Sequence, residues 1–268
     1  MAGFERLELP TGRIVAGIEG GIGWLALNNP ARRNALSLAM WEAIPLALER
    51  FAAEARVRVI VLRGEGEKAF AAGADISEFE QRRASADGIA RYDAALAEAS
   101  ARLESMEKPT IAMIRGYCVG GGVGLAACCD LRLAAEDARF AIPAARLGLG
   151  YGVEGVRRLL RLVGPAMVRE IFYTARQFSA AEMLAMGFLS RVVAVADLEA
   201  ETRALTATIA ENAPLTLKAL KRTVAELGKT EPDLAVCEAL VAECSASADY
   251  VEGRRAFMEK RKPVFRGR

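Results

Sequence analysis

Two glycine- and alanine-rich stretches, Phe70-Ala-Ala-Gly-Ala-Asp-Ile76 and Gly120-Gly-Gly122, decide how this sequence is interpreted. Both consist mainly of residues small enough for main-chain N–H groups to touch a ligand. Two such N–H groups directed at one point form an oxyanion hole, which stabilises a carbonyl oxygen as it gains negative charge. The pair of stretches therefore predicts chemistry on thioesters or related acyl compounds.

The composition excludes several classes of protein. Of the 268 residues 53% are hydrophobic, enough for a sizeable core in one large domain, with or without an appendage. The net charge of +2 comes without blocks of like charge, so we expect no nucleic-acid partner, which would need clustered Lys and Arg. No apolar stretch reaches the roughly 20 residues that span a bilayer, and the N-terminus lacks the features of a secretory signal. We expect a cytoplasmic protein with no membrane partner.

The chain has five cysteines and no histidine. An odd number of cysteines without a C-x-x-C pair is typical of free thiols in a reducing cytoplasm. Without histidine, Ser-His-Asp and Cys-His nucleophile systems are excluded, as is any zinc site that needs imidazole. We expect no bound metal, and proton transfer must use carboxylates, Tyr, Lys, Cys or water.

Strand and helix patterns alternate over residues 10–190, which predicts an α/β fold. Residues 14–18 and 22–27 predict a hairpin. The continuous apolar runs at 59–62 and 110–114 predict strands that are buried on both faces.

The C-terminal part of the sequence has a different pattern. Within the alternating part, helices are predicted at residues 78–105 and 121–129. Residues 195–260, by contrast, show helical spacing throughout and contain no convincing strand. We therefore predict a core over 1–195 and a helical region over 196–268 that packs on the core or on a neighbouring subunit.

Several motifs, taken in order, resemble the crotonase superfamily, which includes the enoyl-CoA hydratases and isomerases. The motifs are Leu27-Asn-Asn-Pro-Ala-Arg-Arg-Asn-Ala-Leu36, Lys68-Ala-Phe-Ala-Ala-Gly-Ala-Asp-Ile76, Gly116-Tyr-Cys-Val-Gly-Gly-Gly122, Cys129-Asp130 with Phe140 and Pro143, and a C-terminal set of Phe257, Lys260, Arg261 and Pro263. The likeness covers nearly the whole chain.

This resemblance implies a spiral of ββα turns that forms two roughly perpendicular sheets. It also implies a C-terminal helical region that builds homotrimers or dimers of trimers. The implied substrate is an acyl-CoA thioester. Coenzyme A then enters as part of that substrate, and no tightly bound cofactor is expected.

The resemblance also assigns residues to the site. By motif, the oxyanion-hole donors are the N–H groups of Ala74 and Gly121. Arg33 is expected near the adenine end of coenzyme A. Phe257 and Lys260 are expected to close over the nucleotide, from the same or a neighbouring subunit. The residues expected along coenzyme A are Arg33, Ala72, Ala74, Asp75, Ile76, Phe257 and Lys260.

Two of these features also have a purely structural interpretation. The run Gly120-Gly-Gly122 would equally permit a tight turn and close helix packing. For Asp75, capping a helix that follows it is the favoured role. The pairing of the two stretches favours the oxyanion hole.

The sequence departs from the family at the catalytic carboxylates. The two glutamates that the family's hydratases use as acid and base correspond here to Gly124 and Ala144. Glu154 is the candidate replacement, because a carboxylate at a helix N-terminus is stabilised in its charged form. The alternative is that Glu154 forms an ion pair with Arg157 or Arg158.

Other side chains near the glycine stretch have weaker claims. Tyr151 could donate a phenolic hydrogen bond into the same pocket, although packing is the favoured interpretation. Cys118, Cys128 and Cys129 are expected to be buried, inert thiols, since no histidine is present to form a thiolate.

Three functions follow from these features. The first is an acyl-CoA enzyme of the enoyl-CoA hydratase/isomerase type that stabilises a thioester enolate, with Glu154 and water or Tyr151 moving the proton. The second is decarboxylation of a malonyl-type CoA, which needs no base. The third is an acyl-CoA-binding protein that has lost catalysis, which the missing carboxylates favour and the intact glycine stretches disfavour.

Overall fold

The computed structural model describes residues 3–75 and 86–268. The strands are β1 (Glu5–Leu7), β2 (Ile14–Glu19), β3 (Ile22–Leu27), β4 (Val59–Gly64), β5 (Ala69–Ala71), β6 (Thr110–Ile114), β7 (Tyr117–Val119), β8 (Leu131–Ala135), β9 (Arg139–Ala141), β10 (Phe178–Ser179) and β11 (Arg191–Val193). The α-helices are α1 (Leu38–Ala53), α2 (Ala86–Glu104), α3 (Gly121–Ala127), α4 (Val153–Thr174), α5 (Ala180–Ala185), α6 (Leu198–Ala210), α7 (Pro214–Leu227), α8 (Leu234–Ala246) and α9 (Ala248–Met258). Short 3₁₀ helices occupy Pro30–Arg32, Pro143–Leu147 and Val195–Asp197.

The larger sheet has seven strands in the order β1-β2-β3-β4-β6-β8-β11. The predicted hairpin is present, with β2 and β3 antiparallel and Glu19 opposite Ile22. From β3 to β11 every neighbouring pair is parallel. The apolar runs predicted as buried strands are β4 and β6, at the centre of this sheet, where both faces are covered.

The smaller sheet has four strands in the order β10-β9-β7-β5. Strands β5, β7 and β9 are parallel to one another, and β10 pairs with β9 in the antiparallel direction at one edge. Strands β5 and β7 lead directly into the two glycine-rich stretches. The smaller sheet therefore sets where the candidate site lies.

The main hydrophobic core holds α1 against the sheets. Trp41, Leu48 and Phe51 lie on the buried face of α1 and are almost fully excluded from solvent. Ser37 caps α1 by accepting a hydrogen bond from the Met40 amide at 3.4 Å. A Cβ atom built on Gly121 would lie 3.5 Å from Trp41 Cζ2, so α1 lies against the stretch around Gly121.

The C-terminal region is helical, as predicted, and it is attached to the sheet by α6. Leu198 of α6 is 4% exposed and packs with Val59, Val61 and Ile111 in a second apolar cluster. Farther along, the Lys221 ammonium of α7 binds Asp130 at 2.8 Å. The division into 1–195 and 196–268 stays a prediction.

Within residues 3–75 and 86–268, no helix is long and apolar enough to cross a membrane.

Candidate active site

The two glycine-rich stretches leave the smaller sheet side by side. Strands β5 and β7 are parallel neighbours, with Ala69 opposite Tyr117 and Ala71 opposite Cys118. Their continuations therefore emerge at the same edge of the sheet. They stay close there, because a Cβ atom built on Gly120 would lie 3.7 Å from the Cα of Gly73.

The amide of Ala74 points away from the neighbouring segment. Leu36 donates to the Gly73 carbonyl at 2.7 Å and accepts from the Asp75 amide at 3.0 Å. Since successive peptide groups of an extended chain point to opposite sides, the N–H of Ala74 between them is directed to the other side. Among the described residues it has no backbone acceptor.

The amide of Gly121 likewise has no backbone acceptor among the described residues. Gly121 is the first residue of α3, and the first N–H groups of a helix have no intrahelical acceptor. Gly120 precedes it with φ 51° and donates its own amide to Ala141 at 2.8 Å. Gly73, which precedes Ala74, likewise has a positive φ of 98°. Each candidate donor thus follows a glycine in a conformation that other residues rarely adopt.

The three consecutive positions 120, 121 and 122 differ in whether the fold requires glycine there. Gly120 needs its positive φ, and a Cβ atom on Gly122 would lie 2.6 Å from the Ala71 carbonyl oxygen. At Gly121 a Cβ atom would meet only Leu36 Cδ1 at 3.4 Å and Trp41 Cζ2 at 3.5 Å, which are ordinary contacts. The structural interpretation therefore accounts for two of the three glycines. At Gly121 the surroundings would accept a methyl group, so neither backbone conformation nor packing requires glycine beside this amide.

A buried hydrogen-bond chain fixes the wall next to Gly121. The indole Nε1 of Trp41 donates to the Tyr92 hydroxyl at 2.9 Å, and this hydroxyl donates to the Leu36 carbonyl at 3.3 Å. Trp41 and Leu36 are almost fully buried. These bonds hold the Trp41 indole and the Leu36 backbone, and both residues face position 121.

Asp75 is buried and its carboxylate binds arginine. Its Oδ1 accepts from Arg32 Nη1 at 2.8 Å, and Arg13 lies 3.8 Å from its other oxygen. The alternative role as a cap concerns residues 76–85, which lie outside the described residues, as does Ile76. The pair places the half-exposed guanidinium of Arg32 beside the first stretch.

Arg33 lies next to Ala72. Its carbonyl accepts from the Ala72 amide at 3.0 Å, and its guanidinium stands 5.1 Å from the centre of the Tyr117 ring. Arg33 itself is exposed and has a positive φ of 51°. The structure thus brings together Arg33, Ala72, Ala74 and Asp75.

Phe257 lies in the last turn of α9 and Lys260 lies just beyond the end of this helix. Phe257 is 82% exposed. Among the described residues, no hydrogen bond or ion pair joins either residue to the segment 72–75. Their closure over a nucleotide stays a prediction, as does its origin in a neighbouring subunit.

The two positions where the family's hydratases carry glutamates lie in α3 and in a 3₁₀ helix, and both hold small residues here. Gly124 lies on α3, one turn after Gly121, and Ala144 is buried in the 3₁₀ helix Pro143–Leu147. The Glu154 side chain is 62% exposed and forms an ion pair with Arg157. The ion-pair interpretation of Glu154 is therefore observed, while its catalytic role stays a prediction.

The thiols near the site are buried, as predicted. Burial raises the pKa of the Cys128 thiol to about 12 and raises the pKa of Cys118 well above its ordinary value. Both stay protonated near neutral pH, so neither supplies a thiolate. No group of three or more His, Cys, Asp or Glu residues within the described ranges is arranged to hold a metal ion.

A mixed α/β core of this topology, with two backbone stretches at one sheet edge and helices at the C-terminal end, defines a crotonase-type protein. The model of the enoyl-CoA hydratase/isomerase family matches residues 17–268. The chain belongs to that family.

Individual relatives agree over almost their whole length. The chain is 32% identical to the short-chain-enoyl-CoA hydratase of Clostridium acetobutylicum, over 91% of this chain and 94% of that protein. It is 37% identical to the crotonyl-CoA hydratase of Syntrophomonas wolfei, over 90% and 93%. The crystal structure of an enoyl-CoA hydratase/carnithine racemase from Magnetospirillum magneticum superposes with a TM-score of 0.91 at 38% identity, covering 97% of each chain.

Proposed function

We propose that this protein is an acyl-CoA enzyme that stabilises a thioester enolate between the N–H groups of Ala74 and Gly121. The observation that supports it is the pair of adjacent amides, each preceded by a positive-φ glycine and neither with a backbone acceptor among the described residues. Removing one donor from such a site typically costs about 2.7–4 kcal/mol of transition-state stabilisation. Two converging donors therefore make an enolate accessible.

One route to the enolate is hydration or isomerisation of an enoyl-CoA. The names of the relatives support this route. Water would add with Glu154 as the base, after the carboxylate releases Arg157. That ion pair is exposed, and such pairs contribute only about 0–1 kcal/mol. The cost of freeing Glu154 is therefore small.

A second route is decarboxylation of a malonyl-type CoA. Positions 124 and 144 carry no carboxylate, and the Glu154 side chain is largely in solvent. When carbon dioxide leaves, its bonding electron pair forms the enolate directly, so no base has to remove a proton. The lack of carboxylates favours this route.

The experiment is a pair of turnover assays on the purified protein, with crotonyl-CoA and with malonyl-CoA, together with calorimetric binding of acetyl-CoA. Glu154→Gln is the test variant. Glu170→Gln is its control, since Glu170 is another ion-paired glutamate of α4.

The outcomes separate the candidates. Hydration that falls at least about 100-fold in Glu154→Gln, but not in Glu170→Gln, would establish Glu154 as the base. Release of carbon dioxide that survives both substitutions would establish the decarboxylase. Binding of acetyl-CoA with no turnover of either thioester would indicate a binding protein, and no binding at all would overturn the proposal.

A further inference from the structure

The space in front of Gly124 is taken by another residue. A Cβ atom built on Gly124 would meet the hydroxyl oxygen of Tyr151 at 3.3 Å, the nearest atom in its path. Gly124 lies one helical turn after Gly121, so positions 121 and 124 share one face of α3. The phenol of Tyr151 therefore ends on the face of α3 that carries the candidate oxyanion donor.

Packing holds the Tyr151 ring in this place. The ring meets Phe172 edge to face, with centroids 4.8 Å apart. A Cβ atom on Gly155 would lie 2.6 Å from Tyr151 Cε1, closer than real contacts allow. The observed position of the ring thus depends on glycine at 155, and the hydroxyl in turn occupies the room that glycine leaves at 124.

The hydroxyl of Tyr151 has no hydrogen-bond partner within residues 3–75 and 86–268. Burial is the main cause that raises its pKa to about 12, and the nearby Cys128 and Cys118 thiols add to this while Arg158 opposes it. The phenol is therefore neutral near pH 7, when it can donate a proton or a hydrogen bond. A partly buried hydroxyl without a partner normally costs free energy, so a ligand that accepts its hydrogen bond would be favoured.

We propose that the Tyr151 hydroxyl is the hydrogen-bond and proton donor that the acyl group meets beyond the oxyanion hole. It takes the space that a side chain at Gly124 would otherwise fill. This inference rests on the proposed function. It assigns the acid of the site to Tyr151 and leaves the route by which the enolate forms to the assays above.

The proton transfer balances without a further reactant. The O–H bond of Tyr151 breaks as the electron pair of the enolate forms the new C–H bond at the carbon next to the carbonyl, and the thioester carbonyl is restored. Water then returns a proton to the phenolate. On the hydration route, the hydroxide left behind is neutralised by the proton that Glu154 took from the attacking water, and on the decarboxylation route it combines with the released carbon dioxide to give bicarbonate. Transfer in this direction is downhill, because a phenol is a much stronger acid than the carbon next to a thioester carbonyl.

The test variant is Tyr151→Phe, which removes only the hydroxyl and keeps the ring against Phe172. The matched control is Tyr173→Phe on α4, next to Phe172, where Tyr173 is 77% exposed. Turnover of crotonyl-CoA and malonyl-CoA is measured for each protein, with calorimetric binding of acetyl-CoA. A second readout is the ¹⁹F spectrum of protein labelled with fluorotyrosine. The signal of Tyr151 is identified as the one that the spectrum of Tyr151→Phe lacks.

We expect kcat to fall at least about 100-fold in Tyr151→Phe with KM within about threefold, and no change in Tyr173→Phe. We expect the ¹⁹F signal of Tyr151 to shift when acetyl-CoA binds. Turnover by Tyr151→Phe within threefold of the parent, or an unmoved Tyr151 signal in a protein saturated with acetyl-CoA, overturns the inference and leaves the proposed function standing. A parent protein that binds no acyl-CoA overturns the proposed function itself. The fluorine signal decides the inference even when the parent turns over neither thioester.

Discussion

Position 121 differs from the glycines on both sides in what an added methyl group would meet. At Gly122 the methyl would collide with the Ala71 backbone at 2.6 Å, whereas at Gly121 it would make ordinary contacts with Leu36 and Trp41. The fold therefore tolerates alanine at 121 and resists it at 122. A bound thioester oxygen would be displaced by the same methyl at 121.

This difference predicts opposite behaviour for two alanine variants. Gly121→Ala should keep its midpoint of thermal unfolding but lose about 100- to 1,000-fold in acyl-CoA turnover, the typical effect of losing one oxyanion donor. Gly122→Ala should lose about 1–3 kcal/mol of stability through overpacking. Thermal unfolding and steady-state kinetics on both variants check this. Gly121→Ala with full turnover would remove the amide of Gly121 from the mechanism.

The sequence motifs predicted Arg33, Ala72, Ala74 and Gly121 as site residues, because each belongs to a local pattern. They were insufficient for Tyr151, whose hydroxyl meets Gly124 only after two distant segments pack together. Packing was the favoured interpretation of Tyr151 from sequence. The one available signal was that both positions around its ring, 124 and 155, are glycine.

At the scale of elements, the patterns with a strong period were predicted and the short elements were not. The hairpin of β2 and β3 and the buried strands β4 and β6 follow from apolar runs bounded by turn residues. Strands β5, β7 and β9 span only three residues each, too few to show a period. The smaller sheet, which positions the site, was therefore not predicted strand by strand.

The short helix α5 depends on its capping box. Ser179 accepts from the Glu182 amide at 3.2 Å, and the Glu182 carboxylate accepts from the Ser179 amide at 2.8 Å. Ser179→Ala should lower the free energy of unfolding by about 1 kcal/mol. Urea unfolding checks this, with Ser105→Ala as the control, since the exposed Ser105 makes only a 3.4 Å bond to the Arg102 carbonyl. Equal stability of the two variants would contradict a role for the cap.

The same box predicts a dependence on acid. The Ser179 amide, the Arg176 guanidinium and the Ser179 hydroxyl lower the pKa of Glu182 to about 2 from its ordinary 4.5. Because the pKa is lower in the folded state, this stabilisation is complete above about pH 4.5 and is lost as the pH falls toward 2. Glu182→Gln should therefore lose less stability than the parent between these pH values, as measured by urea unfolding at each pH. An identical loss in both proteins would contradict the assignment.

At the scale of the whole molecule, the C-terminal helices leave large apolar side chains in solvent. Phe257 and Met258 are 82% and 81% exposed, and Val251 and Val241 are 65% and 58% exposed. Exposed apolar groups in such number on one region are typical of an association surface. This region is the one that the family resemblance assigns to oligomerisation.

We therefore expect the chain to form a trimer or a dimer of trimers through this region. Val251→Asp should reduce the mass in solution, because association would bury an unpaired carboxylate. Thr208→Asp, at an exposed position of α6, should leave the mass unchanged. Light scattering on the three proteins checks this. A parent protein with the mass of a single chain would contradict the expected assembly.

The central claim is that the amides of Ala74 and Gly121 hold one thioester oxygen, and a crystal structure with acetyl-CoA bound tests it most directly. We expect the carbonyl oxygen about 2.7–3.1 Å from both nitrogens. A thioester oxygen bound to only one of these amides, or to another part of the protein, would contradict the claim.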